Sequence, residues 1–147
     1  MKVERDKLGL AEEFAVASEL CRRNIYAQLT LGLRKRTDIL IETQQRMWRI
    51  QVKSKQSREW PGCKGIHGEG IILVFVDYEN KNDTKRPDFY VLTVQDWEDL
   101  LERELILTEK VERNDVRIEK KCSYLERWLY RDECITVRDQ TTQKEVG

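Results

Sequence analysis

Asp38-Ile39-Leu40-Ile41-Glu42-Thr43, then Gln44-Gln45-Arg46, then Met47-Trp48-Arg49-Ile50-Gln51-Val52-Lys53 is the stretch on which the fold turns. Its first six residues have the length and the Ile/Leu content of a short strand. The last seven read as a second strand that Lys53 closes. The polar residues between them form a turn without the Asn-Gly signature, so 38–53 is predicted to be a β-hairpin. With the turn near Gln44-Gln45, Asp38 comes roughly opposite Gln51. Residues two apart in a strand share a face, so Gln51 and Lys53 point one way while Ile50 and Val52 point into the core. A carboxylate, an amide oxygen and an ammonium therefore converge at one end of the sheet.

Outward from the hairpin, Leu8 to about Asn24 reads as a helix, with Leu10, Phe14, Ala17, Leu20 and Cys21 as its apolar stripe. Ile25 to Leu31 alternates as an edge strand would, and Gly32-Leu33-Arg34-Lys35-Arg36 is a basic loop. Lys55 to Gly70 is predicted to be a loop punctuated by four glycines. Ile71-Ile72-Leu73-Val74-Phe75-Val76 is continuously apolar, the pattern of a mid-sheet strand buried on both faces. Phe89 to Leu92 is a further strand. Asp96 to Leu105 is a helix with Trp97, Leu100, Leu101 and Leu105 on one face. Residues 108–121 are too charged to assign. Ser123 is placed to cap a short helix through Leu125, Trp128 and Leu129, and 141–147 reads as a frayed tail. The expected fold is α/β, one mixed sheet flanked by helices. It forms a single domain with a core at about 8–105 and a C-terminal appendage, 106–147, for an interface or DNA contact.

The 147 residues carry 27 Lys plus Arg and 27 Asp plus Glu, a formal net charge of zero. Balanced charge excludes a generic polycation, but a basic groove is compatible with it. Residues 1–75 carry 14 basic and 9 acidic side chains, and 34–64 alone carry 9 basic and 3 acidic. The hairpin is thus bracketed by positive charge. The longest apolar run is the six residues of Ile71–Val76, far short of the ~20 a membrane span needs, and the first residues show no secretory pattern. A cytoplasmic protein without a membrane partner is expected.

Cys21, Cys63, Cys122 and Cys134 make no CxxC pair and read as reduced packing cysteines. Cys63 and His67 would be half a zinc site, and a closed site needs four ligands. His67 is the only histidine, which argues against Ser-His-Asp hydrolysis and two-histidine metal sites. The available chemistry runs on carboxylates, Lys and Gln with a divalent cation. A hard cation takes oxygen ligands, and Asp38, Gln51 and the Val52 carbonyl supply a charged and two neutral ones. Such a metal polarises a phosphoryl oxygen and acidifies a bound water, and Lys53 is in reach to orient that water. The pattern suits phosphodiester hydrolysis.

Asp38 followed by Gln51-Val52-Lys53 resembles the PD-(D/E)XK signature of restriction-type nucleases. Gly9-Leu10-Ala11-Glu12-Glu13-Phe14-Ala15-Val16-Ala17-Ser18-Glu19-Leu20 is similar to that family's first helix, in which a Glu faces the metal. The resemblance covers about 8–93 and implies a restriction endonuclease-like core, with Glu13, or alternatively Glu12, completing the site of Asp38, Gln51, Val52 and Lys53. Two departures stand out: Thr37 replaces the usual Pro, and Gln51 replaces the usual acid, which removes one ligand charge. Within the family the chain looks most like the homing endonucleases of cyanobacterial group I introns. A Holliday-junction resolvase, a defence nuclease and a non-catalytic DNA-binding or assembly module are the alternatives.

The resemblance implies Mg2+ or Mn2+ as cofactor, with Ca2+ as a non-productive substitute, and double-stranded DNA as partner. Arg34, Lys35 and Arg36 before Asp38, and Lys55, Arg58 and Lys64 after Lys53, are the expected phosphate contacts. Trp60 is expected in a core or interface, with stacking on DNA as the lesser reading. Cutting two strands needs two sites, so a homo-oligomer is expected, a dimer at least and a tetramer in the homing branch. Trp97, Leu100, Leu101, Tyr124 and Trp128 are its candidate interface residues.

Overall fold

The computed structural model describes residues 2–33, 37–44, 46–63, 65–105 and 116–119, with the backbone alone at 59, 61–63, 100–105 and 116–119. The chain runs α1 (Arg5–Arg22), β1 (Ala27–Leu29), β2 (Ile39–Glu42), β3 (Met47–Lys55), β4 (Glu59–Cys63), β5 (Ile71–Asp77), β6 (Asp88–Leu92), α2 (Val94–Leu105) and β7 (Val116–Glu119). Five strands form a mixed sheet in the order β1-β2-β3-β5-β6. β3 and β5 are parallel, and the other three pairings are antiparallel. This is the expected α/β architecture.

The hairpin forms as read. Its register pairs Ile39 with Ile50 and Glu42 with Met47. The turn is closed by the Thr43 amide and hydroxyl, which both donate to the Arg46 carbonyl, at 3.0 and 3.2 Å. β3 does not stop at Lys53. It runs on to Lys55, because β5 pairs with it all the way from Arg49↔Ile71 to Lys55↔Asp77. All seven residues of β5 are buried, as a two-face interior strand requires.

The two faces of the sheet carry separate cores. Val16, Ala17 and Leu20 of α1 pack on Ile39, Ile41, Trp48, Ile50, Val52, Ile72, Val74 and Val76. On the other face Trp60, Ile66 and Trp97 cover Leu73, Phe75, Tyr90 and Leu92. The Trp60 and Phe75 ring centroids lie 4.9 Å apart, and the Trp60 Nε1–H donates to the Val76 carbonyl at 3.2 Å. Trp60 is therefore a core residue and does not stack on DNA. Trp97 is likewise buried against Phe75 and is withdrawn from the candidate interface. Gly65 lies so close to Trp97 that a Cβ there would sit 2.0 Å from its Nε1. α2 starts two residues earlier than expected, on a reciprocal cap: the Thr93 amide donates to Asp96 Oδ2 and the Asp96 amide to Thr93 Oγ1.

Two expectations fail. The buried face of α1 is Leu8, Glu12, Val16, Ala17, Glu19 and Leu20, whereas Leu10, Phe14 and Cys21 are exposed. The helix is turned so that two carboxylates point inward. Glu19 there accepts a two-pronged contact from Arg86, 2.8 Å from Nε and 2.9 Å from Nη2, and a further bond from Arg23. These cations draw its carboxyl down to about 2. Second, the stretch 55–70 is not all loop. Its residues 59–63 form β4, which pairs with β7 in a separate two-stranded sheet. Among the described residues no helix is long and apolar enough to cross a membrane.

Candidate active site

β2 accompanies β3 only as far as Ile39↔Ile50, so β3 continues for five residues, Gln51 to Lys55, beyond its ladder with β2 and without another described strand on that side. Asp38 stands at the point where the strands part. Its amide donates to the Ile50 carbonyl at 2.9 Å, its carbonyl accepts from the Thr30 amide at 3.0 Å, and its Oδ2 accepts from the Val52 amide at 2.8 Å. The backbone thus holds the Asp38 side chain in the opening. In an extended strand a residue's N–H and C=O face the same side, so the Val52 carbonyl faces that opening too.

Gln51 lies opposite Asp38, one step beyond the last ladder pair, as the hairpin reading expected. It is buried, and its Oε1 has no hydrogen-bond partner among the described residues. A buried amide oxygen left unpaired costs about 1–3 kcal/mol, so this acceptor is available to a group that brings its own positive charge or donor. Lys53 shares the Gln51 face and is half-buried.

From the other face α1 brings both of its adjacent glutamates. Glu13 hydrogen-bonds Asp38; burial first, and then the Asp38 charge, raise its carboxyl to about 7. Glu12 is buried deeper and raised to about 8 by that burial, with Asp38 and Glu13 adding to the rise and Ser54 and Lys53 opposing it. Ser54 hydrogen-bonds the Glu12 carboxyl. Tyr78 closes this side; burial, then the Glu12 charge, push its hydroxyl up to about 12. Carboxyls crowded in this way repel one another, and a cation would relieve the repulsion.

Glu13, Asp38, Gln51, Val52 and Lys53 are therefore brought together. Glu12, the alternative to Glu13, is present as well. Ser54 and Tyr78 escaped the sequence reading. Ser54 had a signal, since it follows Lys53 and must face the helix side. No three of the described His, Cys, Asp and Glu side chains form a ready-made metal cluster. Among the described residues, Glu13 and Asp38 with the Gln51 and Val52 oxygens are the groups that could hold a cation here.

Among the expected DNA contacts, Lys55 is corrected. It is buried, its Nζ is 3.1 Å from Asp77 and 3.2 Å from Glu79, it donates to the Ser57 carbonyl, and it lies over the Trp60 ring. An ammonium so held cannot reach a phosphate. Arg58 is exposed in the bend after β3. Arg34, Lys35, Arg36 and Lys64 lie outside the described residues, as do Tyr124, Trp128 and the side chains of Leu100 and Leu101.

No family model and no curated protein matches the sequence. The fold does match a solved structure, that of a bacterial homing endonuclease, I-Ssp6803I, with a TM-score of 0.55 over 98% of this chain and 100% of that one, at 15% identity. At that identity the likeness shows the fold alone, and the chain has the α/β fold of that nuclease.

Proposed function

We propose that this chain is a divalent-metal-dependent endonuclease that hydrolyses phosphodiester bonds of double-stranded DNA, a PD-(D/E)XK enzyme of the homing type. One observation carries the reading: Glu13, Asp38, Gln51 and Lys53 meet where β3 outruns β2, with the buried Gln51 Oε1 lacking a partner among the described residues. The donor set is all oxygen and fits a hard cation. Glu13, Asp38, Gln51 and the Val52 carbonyl would hold Mg2+ or Mn2+, and Ca2+ would bind without turnover. When bound, the cation would supply Lewis-acid polarisation of the phosphoryl oxygen and a more acidic water.

The chain's own residues do the rest. Lys53 orients the attacking water, whose oxygen forms a bond to phosphorus as the bond to the leaving sugar oxygen breaks. The Val52 amide keeps Asp38 aimed into the opening. Glu12, bonded to Ser54, sits behind this constellation and holds α1 against β3. The basic residues around the hairpin grip phosphates, and the working unit is a homo-oligomer, a dimer at least and a tetramer on the resemblance to the homing branch. A single module buries only about 600–1,000 Å² on DNA, too little to define a unique long target.

The test is incubation of the purified chain and Mg2+ with a pool of random duplexes, followed by sequencing of the cut ends and light scattering of the complex. Recurrent ends at one long sequence are expected. Cutting of four-way junctions alone would make it a resolvase, and binding without metal-dependent cutting would make it a binding module.

A further inference from the structure

The β1–β2 connection presents two leucines to solvent. Leu33 is 90% exposed and Leu31 is 62% exposed, and only Gly32 separates them. Leu31 has φ +51°, in the left-handed region that bulky side chains rarely adopt and that Gly or Asn enters far more readily. The turn thus holds a leucine outward in a conformation that disfavours leucine.

The base of this turn is fixed. The Leu33 amide donates to the Thr30 carbonyl at 3.1 Å. The buried Thr30 hydroxyl donates to the Thr37 carbonyl at 2.6 Å, and the Thr30 amide to the Asp38 carbonyl. The apex and Asp38 are therefore parts of one hydrogen-bonded unit. Leu33 is five residue steps before Asp38, so the apex lies within about 17 Å of the candidate site. That is about five base-pair steps at ~3.4 Å each.

Charge selects the occupant. Arg34-Lys35-Arg36 follow Leu33 directly in the chain. A surface that receives these leucines must combine negative charge with adjacent apolar contact area, and duplex DNA offers both in its phosphates and its base stack. Apolar side chains that enter a groove can part a base step and bend the duplex.

We propose that the Leu31-Gly32-Leu33 apex is a DNA-distorting wedge, in which Leu33 enters a groove and partly unstacks a base step within about five base pairs of the cut. This rests on the nuclease reading and adds a residue that reads deformability, which base-edge contacts do not report. Leu33 makes no contribution to the chemistry and acts by placing the strand.

The test uses the full-length chain, Ca2+ to hold the complex uncut, and a duplex recovered from the cleavage selection. 2-Aminopurine is substituted in turn at positions flanking the cut. Wild type is expected to raise fluorescence at one or two adjacent positions. Leu33→Ser is expected to abolish that rise and weaken binding about tenfold or more, the scale set by withdrawing one leucine from apolar contact, whereas Leu33→Met retains both. Leu33→Ser is also expected to regain cutting on a duplex carrying a mismatch at the responding step. Flat fluorescence with a wild type that cuts overturns the wedge and leaves the nuclease reading standing. A loss of oligomer mass in Leu33→Ser with unchanged DNA affinity also overturns it, by making the apex a subunit contact. A wild type that neither binds nor cuts any duplex overturns the nuclease reading, and the wedge falls with it.

Discussion

Glu19→Gln should destabilise the fold in a pH-dependent way. Glu19 is a buried carboxylate of α1, shared by Arg86 from the loop between β5 and β6 and by Arg23 beyond the helix end. Its carboxyl is drawn from 4.5 to about 2, its side chain is 9% exposed, and at ~1.4 kcal/mol per pH unit the contacts contribute about 3 kcal/mol. Arg86 is 40% exposed, so solvent screening brings the expected loss to about 2 kcal/mol. A depressed carboxyl contributes stability that is complete above its unfolded value and disappears as pH falls through its folded value. Urea unfolding followed by circular dichroism should therefore show the full deficit at pH 7. By the same linkage about two-fifths of it should remain at pH 3, and almost none below pH 2. A deficit under about 0.5 kcal/mol at pH 7, or one that is the same at pH 3, would refute the assignment of the carboxylate as the charge partner.

Lys53→Ala should lower cleavage at least a hundredfold and leave duplex binding intact, the usual scale for a group that acts on a transferred proton; near wild-type cutting would remove Lys53 from the site. Lys55→Met should behave in the opposite way: cleavage per folded molecule is kept, but about 3 kcal/mol of stability is lost, because the buried Lys55–Asp77 ion pair is broken. Equal stability by urea titration would contradict the ion-pair account. Asp38→Asn should weaken Mn2+ binding at least tenfold by calorimetry in the presence of DNA, since a charged oxygen becomes a neutral one; unchanged affinity would place the metal elsewhere. Gln51→Glu should fold and retain some cleavage because the side chains are nearly isosteric. A variant folded by circular dichroism yet inert would show that the neutral amide itself is required.

The hairpin was legible because its information is local. Period-two alternation and a polar turn of three residues put Asp38 opposite Gln51, and the ladder agrees. Helix α1 was legible as a helix but not in its facing. Amphipathic reading turns charges outward, and it therefore chose Leu10 and Phe14 over Glu12 and Glu19, whose partners Ser54 and Arg86 lie far along the chain. The same non-locality hid β4. Its segment holds Pro61 and Gly62, both poor strand formers, and its ladder partner among the described residues is β7, with Cys63 paired to Val116. Lys55 looked like one more cation in a basic run. What buries it, Asp77 and Glu79, arrives only when β5 docks alongside β3.

The three main-chain contacts at Asp38 carry an implication for engineering. Its amide, its carbonyl and its carboxylate are each fixed by a backbone group, those of Ile50, Thr30 and Val52. The Glu13 side chain bonds the carboxylate as well, but the anchor within the sheet is the Val52 amide. The packing of Ile50 and Val52 on α1 can therefore be redesigned with other β-formers while the reactive geometry stays calibrated. Val52→Pro would detune it by deleting that amide donor, and would disturb the core packing of Val52 as well. The site tolerates drift in its scaffold's side chains, and its weak point is one N–H.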